Sequence, residues 1–457
     1  MMSDAKSAGS TTSSSSANNN NNNGASPNEP ADNIVPASYA ADFSSFVKGI
    51  LSFTGDLSSI TCPSFLLNGI SLLEYGYPAL FDGGSAHWND YPKVLADITQ
   101  ADSSEERMRR VARWFVSTLY GSYNKRVAES NTGEKKPFNP ILGEQFLATW
   151  EDAECGETKF ICEQVSHHPP VSALYFENAK AGIYGSGHFS QKSKFKGMTM
   201  KVVQEGRVTL RMRNSDEIYC LTLPNLNICS IITGRPFLEM SSTTFIRSSK
   251  GYTAEFHWHT KPWLYGEYHK FDGKIFRDAA PKLVPDGPGQ EQLFTLKGKW
   301  VAESTAVNLR TGEELPLFDV HAQPAADITI RPVGEQSELE SRRVWHKVAE
   351  ALRNGSYDVA SREKTSIEEE QRALRRRRAE ASIEWRPSLF SWTDDADDDE
   401  AVRSCYAYLY PAKDSIGTGS WTFNASPHLT PKPKPVSEAS GTQTPSDAFS
   451  TAPSSMA

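Results

Sequence analysis

The chain has 457 residues, 38% of them hydrophobic, which is enough for one large domain or two ordinary ones. Its 56 acidic and 48 basic residues leave a net charge of −8, which argues against a general nucleic-acid binder. No run approaches the roughly 18 consecutive apolar residues of a membrane span, and the start lacks the charged-then-apolar pattern of a signal peptide. Six cysteines (Cys62, Cys155, Cys162, Cys220, Cys229, Cys405) have no paired spacing, which suits reduced thiols better than a disulfide framework. The expectation is a soluble, cytoplasmic monomer whose membrane contact is peripheral.

The segment 1–37 is a Ser/Asn-rich arm with an unbroken run Asn18–Asn23, too poor in apolar residues to order itself. From Ser38 to Phe53, the residues Phe43, Phe46, Val47, Ile50 and Leu51 fall at i, i+3, i+4, i+7 and i+8, one face of a helix. The opposite face is small and weakly charged. Such a helix suits packing on a core, and equally suits insertion into the packing defects of a membrane surface. Thr54–Ile60 reads as a turn, and Glu105–Gly121 as a helix with Met108, Val111, Ala112, Phe115 and Leu119 along one core-facing stripe.

In Glu134-Lys135-Lys136-Pro137-Phe138-Asn139-Pro140-Ile141-Leu142-Gly143-Glu144 the prolines hold an extended path, so Asn139 and the lysines are presented rather than lost in a helix. Lysine is a compact charge with three donors, suited to phosphate or simply to water. From Phe146 to Val320, period-2 patterns recur between turn signals, among them Lys159–Val165, Val171–Phe176, Val208–Arg213, Phe237–Phe245 and Tyr252–Trp258. Many short strands argue for a large antiparallel sheet, closed or nearly so, and a large barrel can enclose a ligand. Tyr184-Gly185-Ser186-Gly187 reads as a turn or strand of little bulk that leaves room nearby.

The most distinctive stretch is Glu163-Gln164-Val165-Ser166-His167-His168-Pro169-Pro170. Pro169 biases His168 away from helical backbone, so the imidazoles sit on an extended segment or turn. Two rings on such a platform suit an anion with several oxygens, because each donates one N–H, or two when protonated. An enzymatic reading, with a histidine as base and Ser166 or Cys162 as nucleophile, lacks both a nucleophile elbow and a group to orient the base. His257 and His259 share a strand face, but no third ligand follows at a zinc-site spacing, so neither a metal nor a cofactor is expected. Toward the end, Leu339–Trp345 opens a helix stopped by Asn354-Gly355, and a second runs from Ser361 to Ala381. On it Lys364, Glu368 and Arg372 fall at i, i+4 and i+8, with the basic run Arg375–Arg378 beyond.

The octet, together with the Lys-Lys-Pro-Phe-Asn-Pro stretch, resembles the oxysterol-binding-protein-related family of lipid carriers, in the form of its short yeast-type members. The resemblance spans residues 38–395. It implies an α+β fold: a large antiparallel, nearly closed β-barrel around a lipid tunnel, with an N-terminal amphipathic lid helix and a C-terminal helical subdomain. The corresponding divisions are a lid at 38–60, a helical part at 61–135, the barrel at 136–325 and C-terminal helices at 326–395. An acidic, then Ser/Thr/Pro-rich, disordered tail would fill 396–457.

The resemblance further implies that Lys136, Phe138, Asn139, His167, His168, Lys364, Glu368 and Arg372 form a site for the headgroup of phosphatidylinositol 4-phosphate, with Phe138 standing where the family has Leu. Ser122, Tyr123 and Gln204 would serve a sterol such as ergosterol, Ser122 replacing the family's Gln. The implied function is exchange of one sterol for one phosphoinositide between membranes of the Golgi, endoplasmic reticulum or other organelles, through anionic membrane surfaces. Phosphatidylserine as the second cargo, or a non-transferring lipid sensor or scaffold, are the alternatives.

Overall fold

In a computed structural model of the chain, residues 34–53, 61–76, 89–130, 133–196, 198–261, 266–278, 290–393, 399–410 and 419–424 are described. The arm before residue 34, the Thr54–Ile60 turn and the tail after Asn424 lie outside them. The elements in order are helix α1 (Ala40–Ser52), strand β1 (Leu67–Ser71), helices α2 (Pro92–Asp97), α3 (Ser104–Tyr123) and α4 (Lys125–Ser130), and strand β2 (Lys136–Phe138). Then come β3 (Gln145–Trp150), β4 (Thr158–His167), β5 (Pro170–Asn178), β6 (Ile183–Lys196), β7 (Thr199–Met212), β8 (Ser215–Leu221), β9 (Asn225–Cys229), β10 (Phe237–Ser248), β11 (Tyr252–His259), β12 (Lys270–Asp278), β13 (Gln290–Lys299), β14 (Glu303–Asn308), β15 (Glu314–Asp319) and β16 (Ile328–Thr329). The chain finishes with α5 (Ser341–Val344), α6 (His346–Arg353), α7 (Tyr357–Glu380), β17 (Phe390–Thr393), α8 (Glu400–Leu409) and β18 (Ser420–Phe423).

Strands β3 to β16 form one 14-stranded sheet, in the order β15-β14-β13-β12-β11-β10-β8-β7-β6-β5-β4-β3-β16. β9 fits beside β8, pairing with the far ends of β7 and β10. All its ladders are antiparallel, and among the described residues β15 and β16 remain its unpaired edges. Alternate residues such as Phe146, Ala148 and Trp150 point inward, as the two-residue period requires.

The inner face does not close on itself but surrounds α3. Ser103 caps that helix by accepting from the Glu106 N–H at 3.2 Å, and its second half is buried nearly all round. Phe115 lies 5.5 Å from Phe256, and Trp114 lies 5.6 Å from Phe176. Each aromatic ring so buried contributes roughly 1.5–3 kcal/mol. Buried Glu217 of β8 holds the start of α3, accepting from Arg107 at 2.6 Å and Ser104 at 3.1 Å. The space expected beside Gly185 is filled, because a Cβ there would come within 2.2 Å of the Phe176 ring.

Beyond 395, where the sequence suggests a disordered tail, the described residues 399–410 and 419–424 carry a helix and a strand. The pair β17–β18 covers the outer face of β4 and β5, where Phe390 and Phe423 meet Ile161, Val165, Ala173 and Tyr175. α8 lies on the outside of β8 through Val402, Cys405 and Tyr406. Asp399 caps α8 and pairs with Arg211 at 2.8 Å, so part of the acidic run serves helix docking. At the other end Ile34 is also buried, and its N–H donates to Gly234 at 2.9 Å. No helix among the described residues is long and apolar enough to cross a membrane.

Candidate functional site

The loop from Lys136 to Glu144 is fixed from beneath. Phe138 is fully buried and stacks on Trp345, ring centroids 4.6 Å apart. Its ring thereby fixes the loop from beneath. The buried Glu144 carboxyl accepts from Ile141 N–H at 2.9 Å, Ser341 Oγ at 2.7 Å and Trp345 Nε1 at 2.9 Å. Burial pushes its pKa up to about 7, with those donors pulling the other way. On the outer side Lys136 Nζ donates to Asn139 Oδ1 at 2.7 Å.

The two histidines end β4. Their hairpin with β5 is locked by Gln164, which accepts from Ser172 Oγ at 2.6 Å and donates to the Ser166 carbonyl at 2.8 Å. Glu163 faces away and accepts the backbone N–H groups of Ser388 and Leu389, tying β4 to the segment after α7. A register shift between Gln164 and Ser166 interrupts the alternation of the ladder. Beyond it both imidazoles lie stacked, 4.8 Å apart, and the His168–Pro169 peptide bond is cis.

Helix α7 brings the third part. Lys364 pairs with Glu368, and Arg372 reaches the same carboxylate at 3.8 Å. The effects of these charges on one another show the pieces converging. The Lys136 ammonium is held below the usual lysine range by burial and by Lys364, against Glu368. The His167 ring is held below the ordinary histidine value by its packed surroundings, by His168 and by Arg375, with Glu368 opposing. Cys62 sits among the lysines, its thiol pushed up to about 11 by burial despite Lys136 and Lys364. Lys136, Asn139, His167, His168, Lys364, Glu368 and Arg372 thus share one neighbourhood, to which the structure adds Cys62 and Arg375.

A second polar group lies on the inner face of the sheet. Tyr123, at the end of α3, places its hydroxyl 3.3 Å from Gln204 Nε2. Gln204 also donates to the Pro224 carbonyl at 2.7 Å and accepts from Gln191 at 3.1 Å. The Ser122 hydroxyl donates to the Thr118 carbonyl at 2.7 Å along its own helix. The apolar face of α1 divides similarly. Phe43 and Phe46 pack with Phe65, Leu66 and Tyr357, Val47 is half-buried and Ile50 is buried, whereas Leu51 is 52% exposed. Tyr39, just before α1, stands 5.4 Å from the Tyr357 ring at the start of α7.

The sequence pattern of the oxysterol-binding protein family matches residues 45–350 and 347–414. The chain belongs to this family. It is 36% identical over 354 residues to Protein KES1 of Mycosarcoma maydis, covering 76% of this chain and 87% of that one. To Protein kes1 of Schizosaccharomyces pombe it is 35% identical, covering 79% and 89%. Its fold is that of the crystal structure of the Osh1 ORD domain in complex with cholesterol (TM-score 0.62, 21% identity, 83% of this chain and 86% of that one). The Osh3 ORD in complex with PI(4)P from Saccharomyces cerevisiae gives a TM-score of 0.57 at 21% identity, over 80% and 90%.

For this member of the oxysterol-binding protein family, some structural roles were not evident from residue type. Glu163 and Gln164, part of the distinctive octet, brace the histidines from behind. Gln191 carries no signal in the sequence, because β6 lacks apolar alternation along its length and only the fold pairs Gln191 with Gln204 across the strands. His257 and His259 pair with ordinary neighbours, Glu255 at 2.9 Å and Asp272. Among the described residues no three His, Cys, Asp or Glu side chains gather to hold a metal.

Proposed function

We propose that the protein is a cytosolic lipid-transfer protein that takes one sterol or one phosphatidylinositol 4-phosphate at a time and exchanges them between membranes it touches peripherally. The observation that carries this reading is the convergence of Lys136, Asn139, His167, His168 and Lys364 from three separate stretches of chain. A phosphorylated inositol headgroup presents a phosphodiester and a monoester, the latter adding about −1.5 to −2 charge near pH 7. Several cations and imidazole donors serve such a ligand, and Glu368 accepts from its hydroxyl groups. A sterol offers a single hydroxyl, which the Tyr123–Gln204–Gln191 group suits better than the charged headgroup of phosphatidylserine. Binding is favoured over catalysis because the Ser166 hydroxyl is engaged by the Pro169 carbonyl at 2.7 Å, while burial keeps the Cys162 thiol protonated.

The test replaces both histidines. His167→Ala with His168→Ala is expected to abolish extraction of phosphatidylinositol 4-phosphate from liposomes while leaving ergosterol binding within about twofold, since neutral–neutral contacts elsewhere are untouched. Equal loss of both ligands would remove the headgroup assignment. Preferential extraction of phosphatidylserine by the wild type would change the second cargo.

A further inference from the structure

Helix α8 is fastened across three neighbouring positions of the sheet. Thr209 of β7 and Arg247 of β10 are the cross-strand partners of Cys220 of β8, one on each flank. The Tyr406 hydroxyl lies 2.9 Å from Thr209 Oγ1 on one side, and the Arg247 guanidinium covers the Tyr408 ring at 4.1 Å on the other. Cys405 stands beside Tyr406 and one turn before Tyr408, so these two anchors set it over Cys220. Both cysteines lie in one buried cluster with Ile218, Val402 and Tyr406, and both are free thiols. Cys220 is wholly buried and Cys405 is buried beneath the helix. The Cys220 thiol donates to the Cys405 sulfur, and that bond holds the Cys405 thiol below the ordinary cysteine value. Burial opposes this and the Arg247 guanidinium adds to it, whereas burial drives Cys220 well above that value.

We propose that Cys220 and Cys405 form a dithiol modification site, which a small peroxide oxidises to a disulfide that ties α8 covalently to β8. Cys405, the more acidic thiol, attacks one peroxide oxygen as its thiolate. The O–O bond breaks, leaving a sulfenic acid on Cys405 and releasing hydroxide, which takes up the proton that Cys405 lost. The Cys220 sulfur then attacks the Cys405 sulfur, the S–O bond breaks, and the departing hydroxide takes the Cys220 proton. Two thiols are oxidised to one disulfide, and one peroxide is reduced to two waters. A ten-residue helix held by side-chain packing opens locally more readily than the sheet beneath it, which admits a molecule little larger than water. Once formed, the bond closes a loop from β8 to α8 and opposes that opening.

The experiment treats the full chain with hydrogen peroxide, alkylates the remaining thiols under denaturing conditions and maps the cysteine peptides by mass spectrometry, before and after dithiothreitol. Amide hydrogen exchange over Glu400–Leu409 is followed in parallel. The expected product is a peptide carrying Cys220 joined to one carrying Cys405, separated again by dithiothreitol. Exchange in α8 is expected to slow on the order of tenfold in the oxidised protein and to recover on reduction. Cys405→Ser and Cys220→Ser lose both effects, and Cys229→Ser keeps both. Should either serine variant fail to fold, the wild-type peptide map and exchange decide alone. Cys220 and Cys405 recovered as separate thiols or as sulfinic acids, or Cys405 joined to another cysteine, would overturn the proposal. A Cys220–Cys405 disulfide that leaves α8 exchange unchanged would overturn its role in holding the helix.

Discussion

His167 shows what a single residue adds. Its ring is held below the usual histidine pKa by its packed surroundings, His168 and Arg375, so the free protein carries it neutral at physiological pH. An anionic ligand beside it reverses that balance and draws in a proton. Binding that takes up a proton tightens as pH falls, by at most about tenfold per pH unit for each proton. Affinity for phosphatidylinositol 4-phosphate is therefore expected to rise from pH 7.5 to 6.5, an interval above the phosphate's own second pKa of about 6. The check is liposome extraction at both values with wild type and His167→Gln. The slope should flatten in the variant, and an unchanged slope would assign the proton to the lipid.

Among the elements, α1 is held by moderate contacts suited to a part that comes and goes. Phe43 and Phe46 lie half-buried against Phe65, Leu66 and Tyr357, while Leu51 and Phe53 are left 52% and 39% exposed. Cys62 packs against both this cluster and the one under Phe138, so the docking site of α1 adjoins the headgroup site. Phe46→Asp places a carboxylate against that cluster and on the face that would enter a membrane. It is expected to lower both liposome binding and sterol transfer at least several-fold, measured by co-sedimentation and by a fluorescent-sterol transfer assay. Unchanged transfer would remove the lid role. The face of α1 was legible because five apolar residues repeat at helical spacing, as were β4, β5, β10 and β11 from their alternation. β6 was not: its glycines and its outer Lys/Ser half carry no apolar alternation, and only pairing with β7 along its whole length makes it a strand. In α8, Val402, Cys405, Tyr406 and Leu409 follow the same helical rule, but the acidic run before it and the Pro-rich tail after it mask that pattern by composition. The residues proposed for the headgroup stand out by type and family resemblance, whereas Cys62 beside them does not. Its neighbour Lys364 lies about three hundred positions later, and periodicity says nothing of such contacts.

At the scale of the whole molecule, two polar groups adjoin one folded interior. The proposed headgroup site draws on β2, β4 and α7, and Glu163 and Glu144 help to bind the C-terminal segments to the sheet. The Tyr123–Gln204 group sits instead on the inner face, beside the apolar residues that line α3 and the strands. A lipid whose tail lies inside the sheet buries several hundred Å², worth on the order of 10 kcal/mol at about 25 cal/mol per Å² before ordering costs. That is enough to hold one molecule in water. If the acyl chains of the phosphoinositide and the rings of the sterol draw on the same apolar surface, each excludes the other even though their polar ends have separate partners. The expected outcome, after incubation with vesicles containing ergosterol, phosphatidylserine and phosphatidylinositol 4-phosphate, is two lipid-bound populations in native mass spectrometry, one with sterol and one with phosphoinositide. A species carrying both would mean separate pockets and remove the exchange mechanism. Protein that stays empty would favour a scaffold over a carrier, and phosphatidylserine in place of sterol would reassign the inner polar group to another cargo.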